Sequence, residues 1–357
     1  MEVLKVNELF SGIGAQRAAL DRLHIPYEIV GISEIDKFAV SSYTAIHGKT
    51  RNYGDISKVD CLDYADLWTY SFPCTDISMA GKQAGIVKGK TRSGLLYEVE
   101  RLLDIAVQEG TAPKYLLLEN VRNLVGKNYI SQFYAWLQHL EELGYNTYWQ
   151  VMNSMDYGVP QNRERVFALS IRYDLDNTGF NFPEPIGCSV NICDMLETSV
   201  KECYYSNDDC DCIFEGDGVK PTCVRRLTPR EYWRFMGFTD GEYDKARYYT
   251  QEEATALQLK ADDSLVENGL FVKMSDTQMY RQAGNSIVVD VLMYLFATLF
   301  DVPIPHSEVQ YNNGDCIFVR IVDDIYNSRD IRLYDNVCPT LRAERAGLKV
   351  VFYDKCC

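Results

Sequence analysis

Hydrophobic positions in residues 1–172 alternate between short extended runs and helical periods. Val3-Leu4-Lys5-Val6-Asn7-Glu8-Leu9-Phe10 reads as a strand, and residues 15–23 carry helical spacing. A second strand over residues 28–33 leads to a helix over 37–47. Leu67-Trp68-Thr69-Tyr70-Ser71-Phe72 is an extended run that Pro73 stops, because proline fixes its own φ and biases the preceding residue towards extended backbone. Arg92-Ser93-Gly94 opens a helix through residue 108, and Leu116-Leu117-Leu118 has the continuous apolar character of a buried parallel strand. An amphipathic helix over 133–143 ends at Gly144, and strands follow over 145–152 and 165–171. Strand and helix in alternation predict an α/β fold around a largely parallel sheet.

The pattern breaks near Tyr173. Residues 173–223 are irregular and contain Pro183, Pro185, Gly216 and Gly218. Thr228-Pro229-Arg230-Glu231 then opens a helix, with threonine as N-cap and proline in the first turn. Residues 241–275 read as helical and polar, and Gln282-Ala283-Gly284-Asn285-Ser286-Ile287 precedes an apolar helix over 288–300.

Composition narrows the classes. A chain of 357 residues with 46% hydrophobic residues can bury a large core, in two domains. No apolar run reaches about 18 residues, so no spanning helix and no membrane partner is expected. The first residues lack the basic and apolar regions of a signal peptide, which predicts a cytoplasmic protein. Among 12 cysteines there is no CxxC pair, and most are expected as thiols. Cys203, Cys210, Cys212 and Cys223 fit no common zinc spacing, and no metal is expected. Cys356-Cys357 lacks a prenylation pattern and reads as tail. A net charge of −15 argues against a non-specific nucleic-acid coat but leaves room for a local basic surface. Lys220, Arg225, Arg226, Arg230 and Arg234 supply a candidate.

The candidate chemistry lies at strand ends, where open α/β sheets bind ligands. Cys74, on the loop after the Leu67 strand, reads as a nucleophile or as a half-buried structural thiol. Glu119 follows the Leu116 strand on the same edge, where partial burial would let it hold or donate a proton. Phe10-Ser11-Gly12-Ile13-Gly14 is a glycine-rich turn between strand and helix. Glu34, about 20 residues on, stands where an acid takes ribose hydroxyls. Together they suggest an adenosine-type cofactor, and Asp55 is placed to accept from an adenine amino group. Residues 80–92 read as a loop able to close over substrate or as plain surface. Arg163 and Arg165, alternating on a strand, would share a face and reach one anionic group, or form an exposed ion-pair face.

These motifs, in this order, resemble the cytosine-C5 DNA methyltransferases of bacterial and phage type. The matching elements are Phe10-x-Gly12-x-Gly14, Glu34, Gly54-Asp55-Ile56, Pro73-Cys74-x-x-x-Ser78, Glu119-Asn120-Val121, Gln161-x-Arg163-x-Arg165, Arg226-Leu227-Thr228-Pro229-Arg230-Glu231 and Gly284-Asn285-Ser286. They cover residues 1–172 and 220–300. The resemblance implies a Rossmann-like S-adenosylmethionine-dependent methyltransferase sheet with a second, smaller, irregular target-recognition domain. It implies a DNA (cytosine-5-)-methyltransferase that flips its base out of duplex DNA and attacks C6 with Cys74. Glu119 would contact N3 and the exocyclic amine, while Arg165 and Arg163 orient base and phosphate. S-adenosyl-L-methionine is the implied cofactor, held by Phe10, Gly12, Gly14, Glu34, Ile35, Asp55, Ile56, Pro73, Leu95, Asn285 and Ser286. Ser78, Gln161, Arg226 and Arg230 are the implied DNA contacts. Double-stranded DNA is the implied partner, a cognate restriction endonuclease in the same restriction-modification system is compatible with it, and a monomer is expected.

Three departures stand out. The recognition stretch before Thr228 is short, residues 243–273 read as an insertion, and the chain continues past the final helix. The domains expected are therefore 1–172 plus 276–302 for catalysis and cofactor binding, 173–275 for target recognition, and 303–357 as an extension. Ser328-Arg329-Asp330-Ile331-Arg332-Leu333-Tyr334-Asp335-Asn336-Val337-Cys338-Pro339-Thr340-Leu341 resembles a segment that related enzymes carry before the Thr-Pro-Arg helix. The expectation is that the extension folds back beside residues 173–235 and adds Arg329, Arg332, Arg342 and Arg345 to the DNA face. A tRNA cytosine-C5 methyltransferase, a catalytically silent DNA-binding relative and a Rossmann oxidoreductase are the alternatives. The intact Cys74, Glu119 and Arg165 oppose the second, and nothing beyond the first βαβ unit calls for the nicotinamide of the third.

Overall fold

The computed structural model describes residues 2–78, 85–188, 190–201, 223–260, 266–267, 269–305, 319–323, 332–335, 337–341 and 348–352. The chain divides into two compact units. The first comprises Met1–Asn153, Glu164–Glu184 and Val291–Pro305, the second Ser154–Arg163, Pro185–Asp290 and His306–Cys357.

In the first unit the order is β1 (Leu4–Leu9), α1 (Ala15–Arg22), β2 (Tyr27–Ser33), α2 (Lys37–His47), β3 (Leu67–Tyr70), α3 (Leu96–Gln108), β4 (Tyr115–Val121), α4 (Ile130–Glu142) and β5 (Tyr145–Asn153). The chain enters the second unit for β6 (Gln161–Asn162) and returns for β7 (Glu164–Arg172). The sheet order is β2-β1-β3-β4-β7-β5. The strands from β2 to β4 run parallel, and β7 is antiparallel to both neighbours. This is a mixed α/β fold with a mostly parallel central sheet.

Its core follows from the apolar spacing. Leu96, Val99, Leu102, Leu103 and Ala106 lie on one face of α3, and Phe133, Trp136 and Leu140 on one face of α4. They pack in one buried cluster with Trp68, Tyr70, Leu116 and Leu118 of the strands. The polar tips inside that cluster are met: Trp136 Nε1 donates to the Tyr70 hydroxyl at 3.1 Å, and the Tyr145 hydroxyl donates to the Pro113 carbonyl at 2.7 Å.

The second unit continues with β8 (Cys223–Arg226), α5 (Pro229–Arg234), α6 (Asp240–Arg247), α7 (Gln251–Ala256), a short hairpin of β9 (Val266–Glu267) and β10 (Leu270–Phe271), and α8 (Asp276–Asn285). The stretch expected to be helical and polar is thus two capped helices and a hairpin. Thr239 and Thr250 each form a reciprocal capping pair, with Glu242 and Glu253. α9 (Val289–Phe300) spans the division between units, and β11 (Val319–Asp323), β12 (Arg332–Asp335), β13 (Cys338–Pro339) and β14 (Lys349–Phe352) follow. A four-stranded sheet runs β12-β11-β14-β8, every pair antiparallel, and β13 pairs in parallel with β6.

By length and composition alone, Asp276–Phe300 is long and apolar enough to cross a membrane. Its most apolar window is 67% buried, and the helix breaks at Ser286, the C-cap of α8, so it reads as core.

Candidate active site

The carboxyl ends of β1, β2, β3 and β4 carry most of the chemistry anticipated from the sequence. After β1 the chain turns through Phe10 at φ 58°, Gly12 at φ 56° and Gly14 at φ 83°. Gly14 has a further constraint: a Cβ there would lie 2.5 Å from His47 Nε2 and 2.8 Å from a Tyr43 ring carbon. At Gly12 nothing lies within 4 Å of where a Cβ would stand, so the backbone there is open to close approach. The Phe10 amide donates to the Ser33 carbonyl at 2.8 Å, tying this turn to the end of β2.

Glu34 organises the neighbouring edge. Its Oε1 accepts from the amides of Ile35 at 2.9 Å and Asp36 at 2.8 Å, and its Oε2 accepts from the Gly12 amide at 3.0 Å. Three backbone donors thus orient one carboxylate between the first two strand ends. Ile35, next to Glu34, is 73% exposed and so is accessible to a ligand at this edge. Asn52 bridges the Glu34 backbone and the Gly54 amide, bringing Asp55 to the same edge. Hydrogen bonds from the Ser57 hydroxyl and amide hold the Asp55 carboxyl below its usual range. Ile56 is buried in the core. The Ser11 hydroxyl is buried without a hydrogen-bond partner among the described residues.

The Cys74 loop is held from three sides. The Asn120 amide of β4 donates to the Phe72 carbonyl at 2.9 Å, and Ser93 Oγ donates to the Pro73 carbonyl at 2.6 Å. Asp76 accepts from the Ser93 amide at 3.0 Å. Ile77 and Ser78 amides both donate to the Cys74 carbonyl, at 3.1 and 2.8 Å, closing one tight turn. Cys74 is a half-buried thiol packed against the apolar core, and Leu95 packs against the same core. Residues 79–84 of the expected closing loop lie outside the described residues.

Glu119 lies near the carboxyl end of β4, two residues before its last residue. The register places Glu119 opposite Phe167 and Val121 opposite Arg165, so Glu119 and Arg165 are diagonal neighbours on one face. Arg165 Nε stands 3.3 Å from Glu119 Oε1, and both side chains are largely buried. Because β3 pairs Tyr70 with Leu118, the Cys74 loop and Glu119 leave the same sheet edge.

Arg163 precedes β7 and does not alternate with Arg165 along it. It belongs to the second unit, is 4% exposed, and donates to the carbonyls of Leu341 at 3.0 Å, Gly284 at 3.1 Å and Ser286 at 2.7 Å. Asn285 and Ser286 are in that unit too, at the end of α8. Gln161 is fully buried, with Nε2 donating to the Phe235 carbonyl at 2.6 Å, so it presents no group to a ligand surface.

The basic stretch is corrected by its partners. Arg225, 2% exposed, forms a two-point ion pair with Glu231 at 2.6 and 2.9 Å. Glu231 is also the reciprocal partner of the N-cap Thr228. Arg230 meets Asp244 at 2.6 Å and Glu197 at 3.2 Å and lies 4.4 Å from the Tyr243 ring centre, and Arg234 meets Asp240 at 2.7 Å. Among the described residues, Arg225, Arg230 and Arg234 are thus neutralised inside the unit and do not form a basic surface; Arg226 is exposed, and Lys220 lies outside the described residues. Of the extension's arginines, Arg329, Arg342 and Arg345 lie outside the described residues, as do Cys203, Cys210 and Cys212, and Arg332 begins β12.

Sequence reasoning assigned no role to Asn120, Asp76 or Ser93, which position the Cys74 loop. Asn120 adjoins a flagged acid, and that adjacency was a usable signal. Asp76 and Ser93 offer none, because their bond closes a loop.

A family model described as C-5 cytosine-specific DNA methylase matches residues 4–212. The chain is 35% identical to the type II methyltransferase M2.ScrFI of Lactococcus lactis subsp. cremoris, covering 84% of this chain and 99% of that protein. It is 30% identical to the type II methyltransferase M.NlaX of Neisseria lactamica, covering 81% and 94%. Among solved structures, the Entamoeba histolytica methyltransferase EhMeth superposes with a TM-score of 0.60 at 17% identity, covering 84% of this chain and 99% of that one. S. pombe Dnmt2 gives 0.56 at 21% identity, covering 84% and 98%. At such identities these two structures speak to the fold alone.

Proposed function

This chain belongs to the C-5 cytosine-specific DNA methylase family, and we propose that it methylates C5 of a cytosine flipped out of a specific duplex DNA sequence. The Cys74 thiolate adds to C6, forming a C–S bond and turning the ring into an enamine whose C5 is nucleophilic. Glu119, positioned by Arg165, holds the N3 and exocyclic amine edge and stabilises the charge that addition creates. C5 takes the methyl group, its proton leaves, and expulsion of the Cys74 thiolate restores the aromatic ring.

S-adenosyl-L-methionine supplies the electrophilic methyl group when bound, and the residues present fit it. Glu34, fixed by three amides, takes the ribose hydroxyls; the exposed Ile35 and Phe10 cover the adenine; Asp55 accepts from its amino group; and the open backbone at Gly12 meets the methionine end. Gly14, Pro73 and Leu95 shape the same edge; Asn285 and Ser286, in the second unit, are cofactor residues on the family resemblance alone. Ser78 and Arg226 are the assigned DNA contacts. A restriction-modification setting is consistent with the relatives' type II names.

The observation that carries this reading is Cys74 on a loop pinned by Asn120 and Ser93, on the sheet edge that also bears the Glu119–Arg165 pair. Expression in a methylation-free host, followed by sequencing for 5-methylcytosine, tests it. Methylation at one DNA motif, lost in Cys74→Ser, is expected. Unmethylated DNA with methylated tRNA would move the substrate to RNA.

A further inference from the structure

The segment after α9 is remote in sequence from Gln161–Asn162 and from β8, yet it pairs with both within the second unit. The Cys338 amide donates to the Pro160 carbonyl at 2.8 Å, and Thr340 Oγ1 donates to the Asn162 carbonyl at 2.7 Å. One residue on, the Leu341 carbonyl accepts from Arg163 Nη1 at 3.0 Å, while Nη2 serves Gly284 and Ser286. Burying a guanidinium costs less the more of its N–H groups find acceptors, and here Nη1 and Nη2 meet three backbone carbonyls. Arg163 is therefore a tie between three stretches of chain, and the C-terminal segment holds one end of it. Further along, the Leu348 carbonyl accepts from the Leu227 amide at 3.0 Å, directly before the N-cap Thr228, and β14 flanks β8 in antiparallel register. Cys338, Leu341, Leu348 and Val350 are all buried.

We infer that residues 337–341 and 348–352 are a working part of the target-recognition body, a positioning segment that fixes Arg163 and the strand leading into the Thr228 helix and so sets affinity for duplex DNA. This rests on the reading of the chain as a DNA methyltransferase. The segment belongs to β-pairing and to a buried polar tie, both of which fix register, so its loss should act on target engagement before it acts on the Cys74 chemistry.

The test compares the full chain with one ended at Asn336. S-adenosylhomocysteine binding is measured by calorimetry, and binding to a duplex carrying the methylated motif by fluorescence anisotropy. The shortened chain is expected to keep cofactor affinity within about threefold and to lose about 100-fold or more in duplex affinity, with the synthetic peptide 337–357 restoring part of it. Duplex binding and methylation within about threefold of the full chain would overturn the inference. If the shortened chain does not fold, hydrogen exchange of the full chain decides: slow exchange at the Cys338 and Leu227 amides, slowed further by duplex, supports it, and exchange at the rate of an unstructured peptide overturns it. A full chain that methylates no DNA removes the functional reading above, and the exchange at these two amides still decides whether the segment is a positioning one.

Discussion

The Cys74 edge of the first unit and the Arg225–Arg234 stretch of the second present opposite outcomes for reactive or charged side chains. At the first, backbone and amide groups hold a loop while Cys74 remains half-exposed, Glu34 is held by three amides and Ile35 is exposed. At the second, a run of arginines is absorbed by Glu231, Asp240, Asp244 and Glu197, and burial raises the Glu197 carboxyl even among them. On the proposed function, the first region keeps its groups accessible to a ligand; the second uses its charges in its own architecture. A charge run in sequence therefore says little about a DNA surface until its counter-ions are located.

The comparison can be broken from either side. Glu119→Gln keeps the shape but removes the carboxylate, and should lower kcat about 100-fold or more with little change in melting temperature. A change in stability with activity retained would make Glu119 architectural. Arg225→Ala should do the reverse, destabilising by about 3–5 kcal/mol by leaving Glu231 buried and unmatched, as read by denaturant unfolding. A stable Arg225→Ala variant with weakened DNA binding would mean that this arginine reads DNA after all.

Glu8 sharpens the contrast within the first unit. It is fully buried under the glycine turn, where Tyr43 donates to it and the Arg17 amide donates at 3.1 Å. Burial pushes its carboxyl from 4.5 up to about 7, against the lowering by Tyr43 and Arg17, with Asp21 adding a small rise. The folded state thus binds a proton that the unfolded state has released between these values. This contribution is present below pH 4.5 and is lost as pH rises towards and through about 7, by up to about 3 kcal/mol. Glu8→Gln should flatten that part of the stability profile; an unchanged profile would place the titration elsewhere. The smallest effect expected is for Ile35→Ala, which should raise the KM for S-adenosylmethionine about 5- to 10-fold with kcat retained.

The sheet unit was legible because its signals are local. Leu116-Leu117-Leu118 announces a buried strand, and the helix read over residues 37–47 is observed as Lys37–His47. Cys74, Glu34 and Glu119 stand at strand ends that hydrophobic periodicity alone locates. What stayed hidden is long-range. Nothing near Arg163 in sequence announces the carbonyls of Gly284, Ser286 and Leu341, and nothing near Cys223–Arg226 announces Lys349–Phe352 as its neighbour. Spacing gives the sign of a charge but not whether it faces water, which is why Arg225 and Arg230 read as surface and are not. The apolar helix read over residues 288–300 is α9, and the 67% burial of the most apolar window of Asp276–Phe300 marks that stretch as core.

The central claim, that Cys74 forms a bond to the target base, is tested most directly by mass spectrometry. The full enzyme is incubated with S-adenosylmethionine and a duplex carrying 5-fluorocytosine at the methylated position, where C5 has no proton to lose and the adduct cannot resolve. A denaturation-resistant complex of enzyme plus methylated DNA strand, mapped to the peptide containing Cys74 and absent in Cys74→Ala, is the predicted result. No adduct with a demonstrably active enzyme, or an adduct that persists in Cys74→Ala, would contradict it.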